Sequence, residues 1–468
     1  MDNANIFRSY LKTPFLVLLV IEVCILFGSV YCAAYLWFYA QPEKLSEIID
    51  ELWAGASVVA IVTPIAMLAT GLYQGQIREG LAGNLLRIAI SFVGASILVV
   101  LIFYINPSSF LDRGVIGLTY VLSFFVIGTL RAIFLDSVDS NNFKKRVLVY
   151  GAGQTASHIE TKLRRKSDKR GFDIVGYILL ENQERVLPES SLVDIEDSLH
   201  EYANANNIDE IVIATSEMEQ DIKVDQLVDC KLNGVRVVDI LTFFEREAGQ
   251  IRIDIMDPTW FVTSDGFGQS QFQDVTKRIF DILVSLIILF VSGPFLLMTI
   301  IAIWLEDGIR SPVFYSQIRV GKRGVPYKVY KFRSMRVDAE KAGEAIWATK
   351  QDDRVTRVGS FIRKTRLDEF PQILNVLNGT MSFVGPRPER PQFVEELSGK
   401  IPYYSERHLV KPGVTGWAQL LYPYGASFND SYQKQFFDMY YVKNHSLFLD
   451  CLILLQTVEV VLFGKGAR

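Results

Sequence analysis

The sequence predicts a membrane-embedded α/β protein in three parts. These are an N-terminal four-helix transmembrane bundle, a Rossmann-like parallel α/β domain, and a C-terminal α-rich domain carrying a re-entrant membrane helix hairpin. Three observations carry that prediction. Hydrophobic residues make up 50% of the 468-residue chain, mean hydropathy is +0.21, and the apolar residues are gathered into blocks. After the first four blocks the pattern changes to short apolar runs alternating with amphipathic stretches, the signature of βαβ units. A fifth apolar block then leads into a polar region dense with short basic motifs. The length alone calls for two or three domains.

The first four blocks cover 14–40, 52–73, 85–105 and 114–135. Each is close to the roughly 20 residues an α-helix needs to cross a hydrocarbon core. The first is too long for a cleavable leader and carries Glu22, with no small-residue cleavage pattern behind it. Cations gather at alternate ends: Arg8 and Lys12 before the first block, Arg78 and Arg87 around the second loop, and Arg131, Lys144, Lys145 and Arg146 at the end of the fourth. By the positive-inside rule, both ends of the bundle face the cytoplasm. Glu22 lies within a turn or two of that side, which predicts an interfacial acid.

From Arg146 onward, strands are expected at 146–150, 172–180, 210–214 and 234–239, with helices between them, giving a parallel sheet covered on both faces. The turn Gly151-Ala152-Gly153-Gln154-Thr155-Ala156 is similar to the glycine fingerprint that admits a pyrophosphate to a helix N-terminus. Gly151 and Gly153 are therefore candidate cofactor-binding positions. The acid expected on the ribose has only Glu181 as a candidate, late in the sequence, so a structural or vestigial domain is the favoured reading. The stretch Ile251-Arg252-Ile253-Asp254-Ile255 is expected to close this domain, setting the divisions at 1–140, 141–262, a linker at 263–274, and 275–468.

The fifth block, 276–306, is long enough to cross a membrane, but it is basic at both ends: Lys277 and Arg278 before it, Arg310, Arg319, Lys322 and Arg323 after it. A crossing would place one basic flank on the wrong side. Ser292-Gly293-Pro294 interrupts its middle, where proline removes a donor and clashes with the preceding turn, so Ser292 and Pro294 mark a helix break. A hairpin entering and leaving on the cytoplasmic side meets both constraints; a kinked spanning helix is the alternative. Near the C-terminus, 447–463 is apolar yet contains Asp450, Gln456 and Glu459, which suggests an amphipathic helix on the membrane or on its own domain.

Net charge is −4, which gives nucleic acid binding no compositional support. Cys24, Cys32, Cys230 and Cys451 lack CxxC spacing and the four histidines are scattered, so neither a disulfide framework nor a zinc or His-based metal centre is indicated. The informative pair is Asp368-Glu369, in the run Arg363-Lys364-Thr365-Arg366-Leu367-Asp368-Glu369-Phe370-Pro371-Gln372. A carboxylate among fixed cations can attack phosphorus or hold a divalent metal. Standing alone, such a pair reads as the solvated salt-bridge face of a helix start.

The surrounding motifs change that reading. Tyr330-Lys331-Phe332-Arg333-Ser334-Met335, Asp352-Asp353-Arg354-Val355-Thr356-Arg357, the Asp368-Glu369 run, Asn375-Val376-Leu377-Asn378-Gly379-Thr380, Gly385-Pro386-Arg387-Pro388 and Lys411-Pro412-Gly413-Val414-Thr415-Gly416-Trp417 occur in this order. The order resembles the bacterial sugar transferase family, monotopic phosphoglycosyl transferases that move a hexose 1-phosphate from a UDP-sugar to a polyprenyl phosphate. The resemblance covers 275 to the C-terminus, and the first two domains resemble the N-terminal half of the family's large members. One departure is that Gly293 separates Ser292 from Pro294, where the family often has Ser-Pro directly.

The resemblance implies that Asp368 is the nucleophile, taking the phospho-sugar and expelling UMP, and that Glu369 assists with Mg²⁺ or the acceptor. It implies phosphate or nucleotide contacts for Lys331, Arg333, Arg363, Arg387 and Arg407. Mg²⁺ is the implied cofactor, with Asp368 and Glu369 its protein ligands. A UDP-hexose, undecaprenyl phosphate and the bilayer are the implied partners, together with downstream glycosyltransferases and a second copy of the chain. The implied location is the bacterial inner membrane, with the catalytic domain on the cytoplasmic face, and the implied role is the initiating step of exopolysaccharide, capsule or O-antigen synthesis. Arg354 and Arg357 pairing with Asp352 and Asp353, and Trp417 as core, remain structural alternatives. A membrane-anchored sugar-nucleotide epimerase would need a Tyr-x-x-x-Lys pair after Gly151. Tyr177 is followed four later by Glu181 and Tyr202 by Asn206, so that pair is missing. A non-enzymatic assembly scaffold is the third class.

Overall fold

A computed structural model describes residues 13–73, 81–107, 110–139, 144–163, 171–181, 183–195, 198–215, 223–268, 270–336, 354–422, 425 and 427–463. Arg8, Lys12, Arg78, Asp352 and Asp353 lie outside the described residues. The chain forms two compact units, Met1–Gly249 and Gln250–Arg468.

In the first unit the apolar blocks are helices Thr13–Trp37, Leu52–Ala69, Leu81–Ile105 and Arg113–Asp139, with a short helix Pro42–Ile48 before the second. Phe15–Trp37, Gly83–Ile105 and Arg113–Phe134 are long and apolar enough to cross a membrane; Pro42–Ile48 and Leu52–Leu68 form a pair bent by 71°. Small residues Ala33, Ala56, Ala60 and Ala95 are buried where helices meet, which lets backbones approach closely. Val20, Ile61, Val93 and Phe125 point outward, an apolar exterior suited to lipid.

Glu22 corrects the expectation of an interfacial acid, for it is fully buried. Arg131 Nε donates to its Oε1 at 2.6 Å and Arg131 Nη2 to its Oε2 at 2.9 Å, while the Tyr73 hydroxyl also donates to Glu22. Arg131 Nη1 donates to the Leu72 carbonyl at 2.7 Å. A bidentate partner on a neighbouring helix makes burial tolerable. Arg87 is buried as well, donating to the Thr70 carbonyl at 2.8 Å. Two cations taken as loop charges therefore lie inside the bundle.

The middle region holds four parallel strands, β1 (Lys145–Tyr150), β2 (Phe172–Ile178), β3 (Glu210–Ile213) and β4 (Arg236–Asp239), in the order β2-β1-β3-β4. Val147, Leu148 and Val149 are all buried, as a strand covered on both faces requires. The helix Ile240–Ala248 ends this unit, capped by Asp239 at its start and by Gly249 in the left-handed region.

The second unit begins with 251–255, expected to close the middle domain. Instead Ile251 N–H donates to the Phe436 carbonyl, and the buried Arg252 guanidinium lies 4.6 Å from the Phe436 ring centre while pairing with Asp254. Burial of this apolar and stacked pair outweighs its position in the chain. A 37-residue helix, Gln271–Asp307, follows, opened by a Ser270–Gln273 capping box. It runs through Ser292, Gly293 and Pro294 without interruption, so the expected break is at most a bend. One proline forfeits one backbone bond, which an otherwise strong helix survives.

Strands β5 (Phe314–Val320) and β6 (Pro326–Phe332) form an antiparallel hairpin, and β7 (Ser382–Val384) pairs in parallel with β8 (Gly413–Thr415). Both ends of the long helix grip this same unit. At one end Lys277 Nζ donates to the Val384 carbonyl at 3.2 Å and Asp450 Oδ2 at 2.5 Å, and Asp281 Oδ1 accepts from Ser382 Oγ and Phe383 N–H at 2.9 and 3.1 Å. At the other, Arg333 Nη2 donates to Asp307 Oδ2 at 2.5 Å, and Ile303 is buried with Val313, Phe332 and Ile362. Between the grips Leu286, Ile287, Phe290 and Leu297 are exposed.

Helix Leu447–Phe463 packs on its own domain, with Leu449, Leu452 and Ile453 buried. Asp450 faces inward, accepting from the Tyr441 hydroxyl at 2.7 Å, so it belongs to the packed face and not to a solvated one.

Candidate active site

Thr356 starts helix Arg357–Lys364 by accepting from Gly359 N–H at 2.9 Å. Arg366 then takes a left-handed conformation (φ 61°), which stops the helix and turns the chain into the tight 3₁₀ turn Leu367–Gln372. Asp368 and Glu369 open that turn. Strand β6 runs beside it and carries Lys331, whose Nζ donates to Glu369 Oε1 at 2.8 Å. Beyond β7, the Gly385-Pro386-Arg387 turn brings Arg387 Nη2 to the same oxygen at 3.2 Å. The turn can approach β8 only because both strands have glycine there: a Cβ on Gly413 would stand 2.1 Å from Gly385 N.

The two acids have opposite environments. Burial alone would push Glu369 up, but Arg387 and Lys331 hold it at about 2. Asp368 is raised above the ordinary carboxylate value, first by burial and then by the neighbouring Glu369 charge, against the pull of Lys331, Arg366 and Arg363. Its Oδ1 is buried with no hydrogen-bond partner. The pair therefore comprises one carboxylate neutralised by fixed cations and one with an oxygen left for another species.

The depressed Glu369 makes a linkage prediction. Its charge contributes stability above its ordinary value of 4.5, and that stability is lost as pH falls through 4.5 towards 2. The stability difference between wild type and Glu369→Gln is expected to be largest above pH 4.5 and to shrink as pH falls, followed by denaturant unfolding across that range. A pH-independent difference would refute the clasp.

Of the residues singled out from sequence, the fold brings Lys331, Arg363, Asp368, Glu369 and Arg387 together. Arg333 is placed elsewhere, buried against Asp307 at the end of the long helix. Arg407 is also buried: it donates to Asp438 Oδ2 at 2.7 Å, to the Tyr404 hydroxyl at 2.5 Å and to the Arg387 backbone carbonyl at 3.1 Å. Its two Nη groups face protein groups, which supports the turn bearing Arg387 from behind, while its Nε is buried without a partner. Sequence reasoning gave no role to Gln419, two residues beyond Trp417, whose Oε1 accepts from Arg387 Nη1 at 3.0 Å. Asp438 was also missed, since an acid in a mixed-polarity helix gives no signal of burial.

Gly151 and Gly153 adopt the fingerprint turn, with Gly151 at φ 121°. Gln183 fills the adjoining space: its Oε1 accepts from Ala152 N–H at 2.7 Å, and a Cβ on Gly153 would lie 2.7 Å from its Nε2. That N–H is thus bound by the chain's own side chain.

Residues 272–464 match the bacterial sugar transferase family, and residues 68–240 match a family described as a CoA-binding domain. The UDP-glucose:undecaprenyl-phosphate glucose-1-phosphate transferase of Xanthomonas campestris pv. campestris is 32% identical over 85% of this chain and 84% of that protein. The UDP-N-acetylgalactosamine-undecaprenyl-phosphate N-acetylgalactosaminephosphotransferase of Aeromonas hydrophila is 41% identical over 52% of this chain and 56% of its own length. A Klebsiella pneumoniae UDP-glucose:undecaprenyl-phosphate glucose-1-phosphate transferase is 37% identical over 58% of each. The chain belongs to the bacterial sugar transferase family and is an enzyme of the phosphoglycosyl transferase type.

Proposed function

We propose that this enzyme transfers hexose 1-phosphate from a UDP-sugar to undecaprenyl phosphate through a phospho-Asp368 intermediate, initiating exopolysaccharide, capsule or O-antigen synthesis. The observation that carries the reading is the buried, unpartnered Asp368 Oδ1 beside a Glu369 already neutralised by Lys331 and Arg387. An Asp368 oxygen attacks the β-phosphorus of the donor; the bond from that phosphorus to the bridging oxygen breaks, and UMP leaves. An oxygen of undecaprenyl phosphate then attacks the same phosphorus, the bond to Asp368 breaks, and the carboxylate is restored. Splitting the transfer into two displacements lets one small site serve a soluble donor and a lipid acceptor in turn. The relatives' names give glucose, galactose and N-acetylgalactosamine, so the proposal extends to the hexose class and not to one sugar.

Arg387 and Arg363 would neutralise the diphosphate as charge builds on the bridging oxygen. Among the described residues no group of three or more His, Cys, Asp or Glu could hold a metal. Two adjacent carboxylates, one with an orphaned buried oxygen, fit Mg²⁺ bound mainly through substrate phosphates and fit no all-protein cage. Asp368 and Glu369 would hold it, and bound there it would offset phosphate charge. We assign the long helix a re-entrant path, because Lys277 and Asp281 at one end and Asp307 at the other grip the same polar unit while the middle is apolar and exposed. That path puts the active site at headgroup level on the cytoplasmic face of the inner membrane. A homodimer and hand-over to downstream glycosyltransferases fit this reading.

Donor labelled at the β-phosphorus tests the chemistry. Label is expected on the protein and then, after undecaprenyl phosphate is added, on lipid. Label that reaches lipid without ever residing on protein would rule the intermediate out. Single cysteines at Asp274 and Arg310 in sealed inverted vesicles test the path: both are expected to react with an impermeant thiol reagent from the cytoplasmic side, and protection of either would indicate a crossing.

A further inference from the structure

Apart from the Asp368 site, the second unit has a cavity of 440 Å³ at the start of the long helix, lined by Asp274, Lys277, Arg278, Asp281, Lys322 and Lys411. Most of these charges are already matched. Lys277 is held by Asp450, and Lys322 pairs with Asp274 at 3.2 Å. Arg278 donates to the carbonyls of Val376 and Leu377, both at 2.5 Å, which fixes its position without cancelling its charge. Lys411 has no hydrogen bond or ion pair to its ammonium among the described residues. Asp281 is 1% exposed; its Oδ1 is used by Ser382 and Phe383, and its Oδ2 is buried without a partner.

The cavity thus offers two cations that no carboxylate bonds and one orphaned acceptor. An anion alone would satisfy Arg278 and Lys411 but leave Asp281 Oδ2 unmet, at a cost that buried polar groups rarely carry. A phosphate followed by an N–H or O–H donor satisfies all three. The rim indicates where such a group comes from. Val275 and Ile279 also line the cavity, are 57% and 55% exposed, and begin an outward apolar stripe that continues through Leu283 and Ile287 at helical spacing. Charge inside and an apolar track leading away match an amphiphile.

We propose that this cavity binds the headgroup of a membrane phospholipid, its phosphodiester on Lys411 and Arg278, a donor beyond the phosphate on Asp281, and its acyl chains along Val275, Ile279 and Leu283. The site rests on the reading that this helix face lies in lipid, and its readout, lipid retention, is independent of sugar transfer. The full-length protein in detergent is offered phosphatidylglycerol, phosphatidylethanolamine and phosphatidylcholine, and bound lipid is measured by native mass spectrometry. Phosphatidylglycerol and phosphatidylethanolamine are expected to be retained about tenfold over phosphatidylcholine, whose quaternary ammonium has no N–H to donate. Lys411→Ala is expected to lower retention about tenfold, and Lys411→Arg to restore it. Lys411→Gln, which keeps most of the aliphatic stem without the charge, serves if alanine disturbs folding. Equal retention of the three lipids, or unchanged retention in the Lys411 variants, overturns the proposal. Displacement of the lipid by millimolar inorganic phosphate overturns the lipid assignment in favour of a free anion.

Discussion

Asparagine in place of Asp368 is expected to lower kcat by on the order of 10⁴-fold, with donor affinity within about threefold of wild type. The amide matches the carboxylate in shape, so the 3₁₀ turn and the Lys331–Glu369–Arg387 clasp are kept. It lacks the anionic oxygen that would bond to phosphorus. UMP release by the purified variant, with donor binding measured alongside, separates the two quantities. Residual turnover near the wild-type rate would move the nucleophile elsewhere. The wild type should also show an acid limb. On the proposed mechanism Asp368 must be ionised to attack, and burial together with Glu369 raises its titration above the ordinary 3.8. Activity therefore falls as pH drops through that raised value and is flat above it. Glu369, held at about 2, stays charged throughout and adds no second limb.

The second large effect lies in the bundle. Glu22→Ala or Arg131→Ala alone leaves its buried partner uncompensated, and each is expected to cost about 3–5 kcal/mol of stability. Both residues are almost fully buried, at 0% and 3% side-chain exposure, so solvent screening does little to soften the loss. The double variant Glu22→Gln with Arg131→Met removes both charges and is expected to recover much of that loss. Thermal unfolding in detergent measures all three. Single variants as stable as wild type would mean that the pair is solvated.

Those two residues also show where sequence reading reaches its limit. The apolar blocks, the four parallel strands and the glycine turn were legible because each is a local pattern whose period or composition sets its structure. The Asp368–Glu369 centre was legible as a set of motifs in order, while the convergence of Lys331 and Arg387 on one Glu369 oxygen was not. What failed was pairing at long range. Glu22 was read as interfacial because its partner lies 109 residues away on another helix. Arg407 resembled a substrate ligand because nothing local announces that Asp438 will bury it. Gln183 gave no sign that it would lie across the glycine turn, 31 residues from Ala152. Cation counts marked where arginines occur but not whether they face loop or core.

The two grips of the long helix carry a mechanical consequence. One end holds β7, which leads directly to Arg387, and the other holds Arg333, two residues from Lys331 on β6. The cations that close on Glu369 are thus each tethered to an opposite end of a single helix. On the proposed re-entrant path, stretching, thinning or curving the bilayer around that helix would alter the spacing of its ends, and with it the span across which Lys331 and Arg387 reach the same oxygen. On that path the lipid phase would serve as a tensioning frame for the site as well as the source of its proposed acceptor.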